Sequence, residues 1–497
     1  MGETEGLQSF AGALGWLDFA IVAGAIGVLL VIAYLSGRRE KDTQDFFLGE
    51  RRVPPIIASL SFVATEISAM TIVAVPAVGY KENWQYLQFF IGSATARVLI
   101  AFLFIPAFYK YRCTTIYEFL RHRFGPQTQY AGSVFFLLTR LLASGVRLFV
   151  ACSAVGIILG WPLELTLVLF TVVSTAFIAY GGIKAVVWTG AFETTVFFVA
   201  AFAVIGYLLT QISGGLPEAW RVASEGGRLS LFNLTPSLTD PTTLWGAAAN
   251  GFFVSLAVFG TDQELMQRLL TVESRRSSQK ALVGTILAAL PLVVAYLAVG
   301  TLLYVFYHQN VALSLPDKAD KILSHFTATM LPTGLKGLVL AAVILASIDS
   351  PLNSLTSSFV TDIYRPLIRQ GASERHYLWV SRIGVVVFGV LLILIAWPCR
   401  HLEGILWVGL QVFTLTSATL GVFLLGLLTK RVVNRGNVVA MVVTTVAMVL
   451  ALYAVKVGFG DWKLEIGWTW LIVIGTAITF GLGYLFSLFG GNAKQEA

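Results

Sequence analysis

The chain has 497 residues, 57 % of them hydrophobic and only 12 % charged, with a mean hydropathy of +0.79. Soluble globular proteins carry about 25 % charged residues, so this composition excludes a soluble fold and points to a membrane protein. The formal net charge of +7 calls for no nucleic-acid partner, because basic residues beside lipid headgroups set membrane topology.

Apolar runs of at least about 18 residues, enough to cross a bilayer as a helix, recur from end to end. They predict thirteen membrane segments, near 16–36, 54–79, 84–109, 130–159, 163–180, 186–211, 243–259, 280–306, 335–363, 377–397, 405–428, 434–455 and 467–489. The first fifteen residues hold Glu3 and Glu5 and no basic side chain, unlike a signal peptide. The first segment is therefore expected to stay as a membrane helix. The longest polar stretches, Ser213–Thr242 and Tyr307–Gly334, are loop-sized, so no separate soluble domain is expected. Of the 34 Lys and Arg, 21 follow odd-numbered segments or lie in the C-terminal tail, 9 fall in the alternate loops and 4 within segments. The richer side is expected to be cytoplasmic, with the N-terminus outside and the C-terminus inside a cell membrane.

The second segment carries the run ATEISAMT, Ala64 to Thr71. Thr65, Glu66, Ser68 and Thr71 lie where a lipid-facing helix should be apolar, and a charge at mid-depth costs about 2.5–3.5 kcal/mol on insertion scales. This pattern predicts a broken helix lining a binding site, as in secondary transporters. A second break is predicted five segments on, at Phe259-Gly260-Thr261-Asp262. Each break opens a set of five segments, 54–211 and 243–428. Five is odd, so the second set enters the membrane with opposite orientation. The expected fold is all-α and polytopic, with inverted five-helix repeats, an extra helix at 16–36 and two more at 434–489.

Other polar side chains fall inside apolar segments. Glu66, Glu193 and Asp349 are acidic; Arg97, Arg140 and Arg147 are basic. Arg140 and Arg147 stand two turns apart on one helix face. Two readings stay open: these arginines grip a carboxylate on the solute, or they neutralise the buried acids, Arg140 or Arg147 pairing with Glu66. Ser68, Thr71, Gln88 and Gln411 are further polar candidates, with Phe90 and Phe259 as walls. His122, His308, His325, His376 and His401 fall in loops or at membrane edges, which argues against a histidine proton relay. Cys113, Cys152 and Cys399 show no metal spacing. Neither an HExxH nor a GxSxG motif is present, so no enzyme is expected.

Five stretches in order carry a resemblance: Ala64–Pro76, Tyr180–Thr189 (YGGIKAVVWT), Thr261–Arg268 (TDQELMQR), Pro351–Ser354 running to Asp362–Tyr364, and Gly426–Arg431. The chain resembles the sodium/solute symporter family, which includes sodium-coupled sugar, sialic acid, iodide, monocarboxylate and vitamin transporters. Ile67–Thr71 followed by Val75–Ala77 is closer to the anion- and carboxylate-transporting branches than to the sugar branch. The resemblance implies a leucine-transporter-type core with broken first and sixth core helices. It implies a sodium site from carbonyls of Ala64 and Ile67 with Val343, Ala346 and Ser347 on the eighth core helix. Ala346 departs from the family's usual hydroxyl, and Ser347 can also simply bond back to its own helix. Some relatives hold a second sodium with an Asp after the Trp-Thr pair; here that position is Gly190. Glu193 one turn on, with Asp349 and Ser350 on the facing helix, would form a second cation or proton site. Asp262, Gln267 and Arg268 resemble gate or anchor positions. The sialic acid branch holds its solute carboxylate with an Arg on the third core helix, but neither Arg140 nor Arg147 falls on that position. No cofactor is implied beyond Na+ as coupling ion. The expected activity is sodium-coupled symport of a small polar organic solute bearing a carboxylate, with a proton-coupled carrier of the same core fold, for example for an amino acid, as the alternative.

Overall fold

Inside a bilayer no water satisfies the backbone, so apolar runs close their own hydrogen bonds as helices. The computed structural model describes residues 14–37, 43–348, 351–402, 405–458 and 462–489. In chain order the principal helices are α1 (Trp16–Gly37), α2 (Pro55–Glu66), α3 (Ala69–Lys81), α4 (Leu87–Lys110), α5 (Pro126–Leu159), α6 (Leu163–Gln211), α7 (Leu244–Gly260) and α8 (Gln263–Leu270). They continue with α9 (Arg275–Gln309), α10 (Leu335–Ile348), α11 (Leu352–Ser358), α12 (Glu374–Ala396), α13 (Ile405–Val412), α14 (Ser417–Leu428), α15 (Arg435–Lys456) and α16 (Leu471–Phe489).

Among the described residues ten helices are long and apolar enough to cross a membrane, or twelve if the bent pairs α2/α3 and α7/α8 each count as one span. The thirteen crossings expected from hydropathy are not confirmed. The segment expected at 163–180 is a shorter apolar helix, Leu163–Ala176. The chain turns within α6 at Gly182, where φ is +49°. A glycine takes this backbone without steric cost, and a hydropathy window does not register it.

The lipid-facing sides show large apolar side chains such as Phe102, Leu287 and Val172, while the interior holds one large apolar core with smaller clusters beside it. The two predicted breaks are present: α2 and α3 are bent by 57°, α7 and α8 by 60°. The extra helix α1 is tied to the core by a buried acid that hydropathy passes over. The Asp18 carboxylate accepts from the amides of Gly334 and Gly337, both at 2.7 Å, and so caps α10. The segment between α4 and α5 is pinned to the α7/α8 break. The Tyr117 hydroxyl donates to the Thr261 carbonyl (2.9 Å), and the Ile116 amide to Gln263 Oε1 (2.9 Å). Next to it Thr115 and Gln129 donate to the buried Asp362 at 2.7 and 2.8 Å.

Helices α4 and α7 approach backbone to backbone through small residues, as membrane helices do. A Cβ on Gly251 would stand 2.8 Å from the Phe89 carbonyl carbon, and one on Gly92 would stand 2.9 Å from that of Ala248. A Cβ on Gly24 of α1 meets nothing within 4 Å. Gly92→Ala should therefore lower stability by about 1–3 kcal/mol through overpacking. Gly24→Ala should leave it unchanged or slightly raised. Melting of the two purified variants in detergent checks this; equal melting temperatures would refute the close contact.

Candidate functional site

The site grows from the α2/α3 break. Ile67 (φ −85°, ψ 79°) and Ser68 (φ −85°, ψ 177°) leave the helical region. The amides that would close a continuous helix on the Ala64 and Ile67 carbonyls turn elsewhere: Ser68 bonds Glu66 O (3.1 Å) and Thr71 bonds Ser68 O (2.8 Å). Two carbonyls thus lose their helical donors in the middle of an apolar bundle, which is what a hard cation can use. The neighbouring Thr65 carbonyl accepts from the Arg147 guanidinium.

Around the break lies a cavity of about 180 Å³. Its wall includes Glu66, Ile67, Ser68 and Thr71 from the break, Phe90 and Ser93 from α4, Arg140 and Arg147 from α5, and Asn250, Ser255 and Phe259 from α7. Of the expected solute contacts, Glu66, Ser68, Thr71, Phe90, Arg140, Arg147 and Phe259 therefore converge. Gln88 and Gln411 do not. On α4 the wall residues Phe89, Phe90 and Ser93 share one face and Gln88 lies off it. Its amide donates to the Thr242 carbonyl (2.8 Å) and its oxygen accepts from the Asn233 amide (3.0 Å), holding a loop. On α13 the lining face is Leu406, Gly409, Leu410 and the following Phe413, which leaves Gln411 to one side.

The charge pairing differs from the expected one. Glu66 meets Arg97, not Arg140 or Arg147. Arg97 is fully buried, its guanidinium 4.8 Å from the Phe259 ring centroid and 5.4 Å from that of Phe90, and it donates to Thr285 Oγ1 at 2.5 Å. Arg140 instead meets the acids of the second break, Asp262 at 3.1 Å and also Glu264. Asp262 caps α8 by accepting from the Glu264 amide at 2.8 Å. Gln267 donates to the Phe47 carbonyl (2.7 Å) and Arg268 to Ser61 Oγ (3.2 Å), so these residues anchor α8. Arg147 lies 4.0 Å from Glu264, and its side chain keeps 21 % exposure against 0 and 1 % for Arg97 and Arg140. Arg140 and Arg147 both line the cavity, and Arg147 is the more exposed of the two.

The residues implied for sodium are distributed over two cavities. Ile67 lines the central one. Ala346 and Ser347 line a second cavity of about 40 Å³ with Ser144, Thr171 and Arg147, and Arg147 lines both. Val343 is buried, and the Ser347 hydroxyl donates to its carbonyl at 2.8 Å, so only the lone pairs of Ser347 stay open to a cation. Asp349 and Ser350 lie outside the described residues. Glu193 is fully buried and lines neither cavity. The missing acid at Gly190 has a steric reason: a Cβ there would stand 2.7 Å from Ser61 Oγ and 2.9 Å from Ser61 Cα. Among the described residues no group of three His, Cys, Asp or Glu could hold a metal.

Sequence reasoning missed Arg97 as the partner of Glu66, and missed Asn250 and Ser255. The signal for Ser255 was legible, because Ser255 and Phe259 stand four residues apart on the approach to the second break.

The model of the sodium:solute symporter family matches residues 46–444. The sodium/sialic acid symporter SiaT of Proteus mirabilis (strain HI4320) is 28 % identical over 90 % of this chain and 91 % of its own length. The human sodium-coupled monocarboxylate transporter 1 is 28 % identical over 85 % of this chain and 70 % of its own. A solved structure of a Na+-coupled sialic acid symporter, in a substrate-bound outward-open state, superposes with a TM-score of 0.86 at 24 % identity, covering 97 % of this chain and 99 % of that one. This likeness establishes the fold as a leucine-transporter-type core with its first and sixth core helices broken. The chain belongs to the sodium:solute symporter family and is a multi-pass membrane transporter, not an enzyme.

Proposed function

We propose that this protein imports a small polar organic solute with a carboxylate group, driven by sodium, by alternating access. The observation that carries the reading is the α2/α3 break, which turns two carbonyls away from their helical donors and sets Glu66, Ser68 and Thr71 on a cavity that Arg147 also lines. In this reading Arg147 takes the solute carboxylate with its planar fork. Glu66, clamped by Arg97, is a hydrogen-bond partner for the rest of the solute. Na+ acts as the coupling ion at Ala64, Ile67, Val343 and Ser347, and no cofactor takes part. Binding there ties the first and eighth core helices together and favours the state in which the solute site faces outward; solute then permits closure and inward opening. One Na+ moving down 100 mV supplies about 2.3 kcal/mol before any concentration gradient. The N-terminus lies outside and the C-terminus in the cytoplasm, following the basic loops.

One sodium per cycle fits the crowding at Gly190, where the acid of some relatives has no room. A proton-coupled reading has one observation in its favour. Ala346 supplies no hydroxyl and the Val343 carbonyl already accepts from Ser347 Oγ, which leaves the sodium site short of ligands. Glu193, with Asp349 and Ser350, would then hold the proton.

Uptake into proteoliposomes separates the two. A sodium gradient should drive it with a Hill slope near one, and Ser347→Ala should raise the sodium requirement on the order of tenfold, since one charge–dipole contact is lost. Uptake driven by a pH gradient at zero sodium would decide for the proton. For the solute site, Glu66→Gln should weaken solute binding by roughly tenfold or more while sodium affinity changes little. Normal transport by this variant would make Glu66 a purely structural partner of Arg97.

A further inference from the structure

Two residues that line the central cavity, Glu66 and Asn250, each keep one buried acceptor with no protein donor among the described residues, Glu66 Oε2 and Asn250 Oδ1. In both side chains the other polar atom is committed. Glu66 Oε1 is held by Arg97, which is itself fixed by Thr285 and by the Phe259 ring. Asn250 Nδ2 donates to the Thr469 carbonyl at 2.9 Å. A carbonyl only accepts, so this amide has one orientation and Oδ1 is the atom left over. Glu66 stands on the first core helix and Asn250 on the sixth, the two helices that are broken. Asn250 is 1 % exposed, so its acceptor is lost to bulk water and gains most from a bound donor.

The charges around the cavity point the same way. Arg97 meets Glu66, Arg140 meets Asp262 and Glu264, and Arg147 lies 4.0 Å from Glu264. Among the described residues the wall carries Glu66, Arg140 and Arg147, and with their partners Arg97, Asp262 and Glu264 the cluster has three guanidinium groups against three carboxylates and no surplus positive charge. A carboxylate at Arg147 is then bound best when the same solute brings its own donor.

We infer that the solute must present a hydrogen-bond donor, best an ammonium group, to Glu66 Oε2 and Asn250 Oδ1, and that Asn250 is a specificity-determining residue. This rests on the proposed function for the carboxylate at Arg147 and adds the donor. An unsubstituted monocarboxylate would bury both acceptors unpaired, and a site built to hydrogen-bond a group discriminates strongly against the analogue lacking it. Amino acids are therefore favoured over hydroxy acids, and hydroxy acids over plain carboxylates. The ammonium leads because Glu66 accepts as a charged group.

The test uses the full chain in detergent with sodium, and reads affinity from ligand-induced shifts of the melting temperature. Four probes of matched shape separate the two groups: alanine has both, lactate replaces the ammonium by a hydroxyl, propionate has the carboxylate alone and isopropylamine the amine alone. A second set replaces the methyl by a benzyl group, to allow for a cavity of about 180 Å³: phenylalanine, 3-phenyllactate, 3-phenylpropionate and 1-phenylpropan-2-amine. In at least one set the amino acid should bind about tenfold or more tighter than the plain carboxylate, with the hydroxy acid between. Asn250→Leu should cut that ratio by about tenfold, because it removes the acceptor that the amino acid pairs and the plain carboxylate leaves unpaired. The wild-type ranking needs no variant and stands even if Asn250→Leu fails to fold. Plain carboxylate binding as tightly as amino acid in both sets would overturn the donor requirement and leave the carboxylate reading intact. Amine binding without any carboxylate effect would support the donor requirement and overturn the carboxylate at Arg147. Binding of none of the eight probes would overturn the inference.

Discussion

A helix interrupted inside an apolar bundle leaves backbone groups that neither lipid nor water can satisfy. At Ile67 and Ser68 that constraint organises the centre of the protein. The Thr65 carbonyl is met by Arg147 from α5, and the Ala64 and Ile67 carbonyls lose their helical donors. The second break at Thr261 and Asp262 is stabilised differently. Asp262 caps α8 and the Tyr117 hydroxyl donates to the Thr261 carbonyl. One break is thus bonded largely within the chain, whereas the other keeps polar groups available to a ligand or an ion.

The ion pairs follow from the breaks. A buried charge is tolerated only with a partner, and removing one partner leaves the other strongly destabilised. Arg97 joins α4 to the end of α2 through Glu66, and Arg140 joins α5 to α8 through Asp262 and Glu264. Such pairs contribute more to geometry than to net stability. They fix which carboxylate oxygen and which guanidinium edge face the cavity, and so the chemistry a solute must match.

Arg147 connects the two cavities. It lines the central one and the smaller one beside Ser347, and it holds the Thr65 carbonyl between the two proposed sodium carbonyls. A solute carboxylate drawing on Arg147 would alter its hold on the broken helix that also supplies the ion site. In the proposed reading, coupling of solute and ion needs no long pathway, because one side chain lines both cavities.

What the sequence determined by itself was local in origin. Hydropathy marks where the chain crosses the membrane, and hydroxyls and a carboxylate inside an apolar run mark the break at Ser68, because both depend on neighbouring residues only. The odd spacing of the two breaks carried the inverted arrangement, and five ordered motifs carried the family. Tertiary structure decided everything that depends on the rotation of one helix against another. Gln88 and Gln411 are polar and deep, yet a helix has several faces and theirs are turned from the cavity. Glu66 had three arginines within reach of a sequence argument, and only the packing of α4 against α2 and α7 selects Arg97. The thirteenth expected crossing, which is not confirmed, has the same character: the non-helical backbone at Gly182 lies between the short apolar helix Leu163–Ala176 and the span that follows it, and side-chain hydropathy carries no information about a backbone angle.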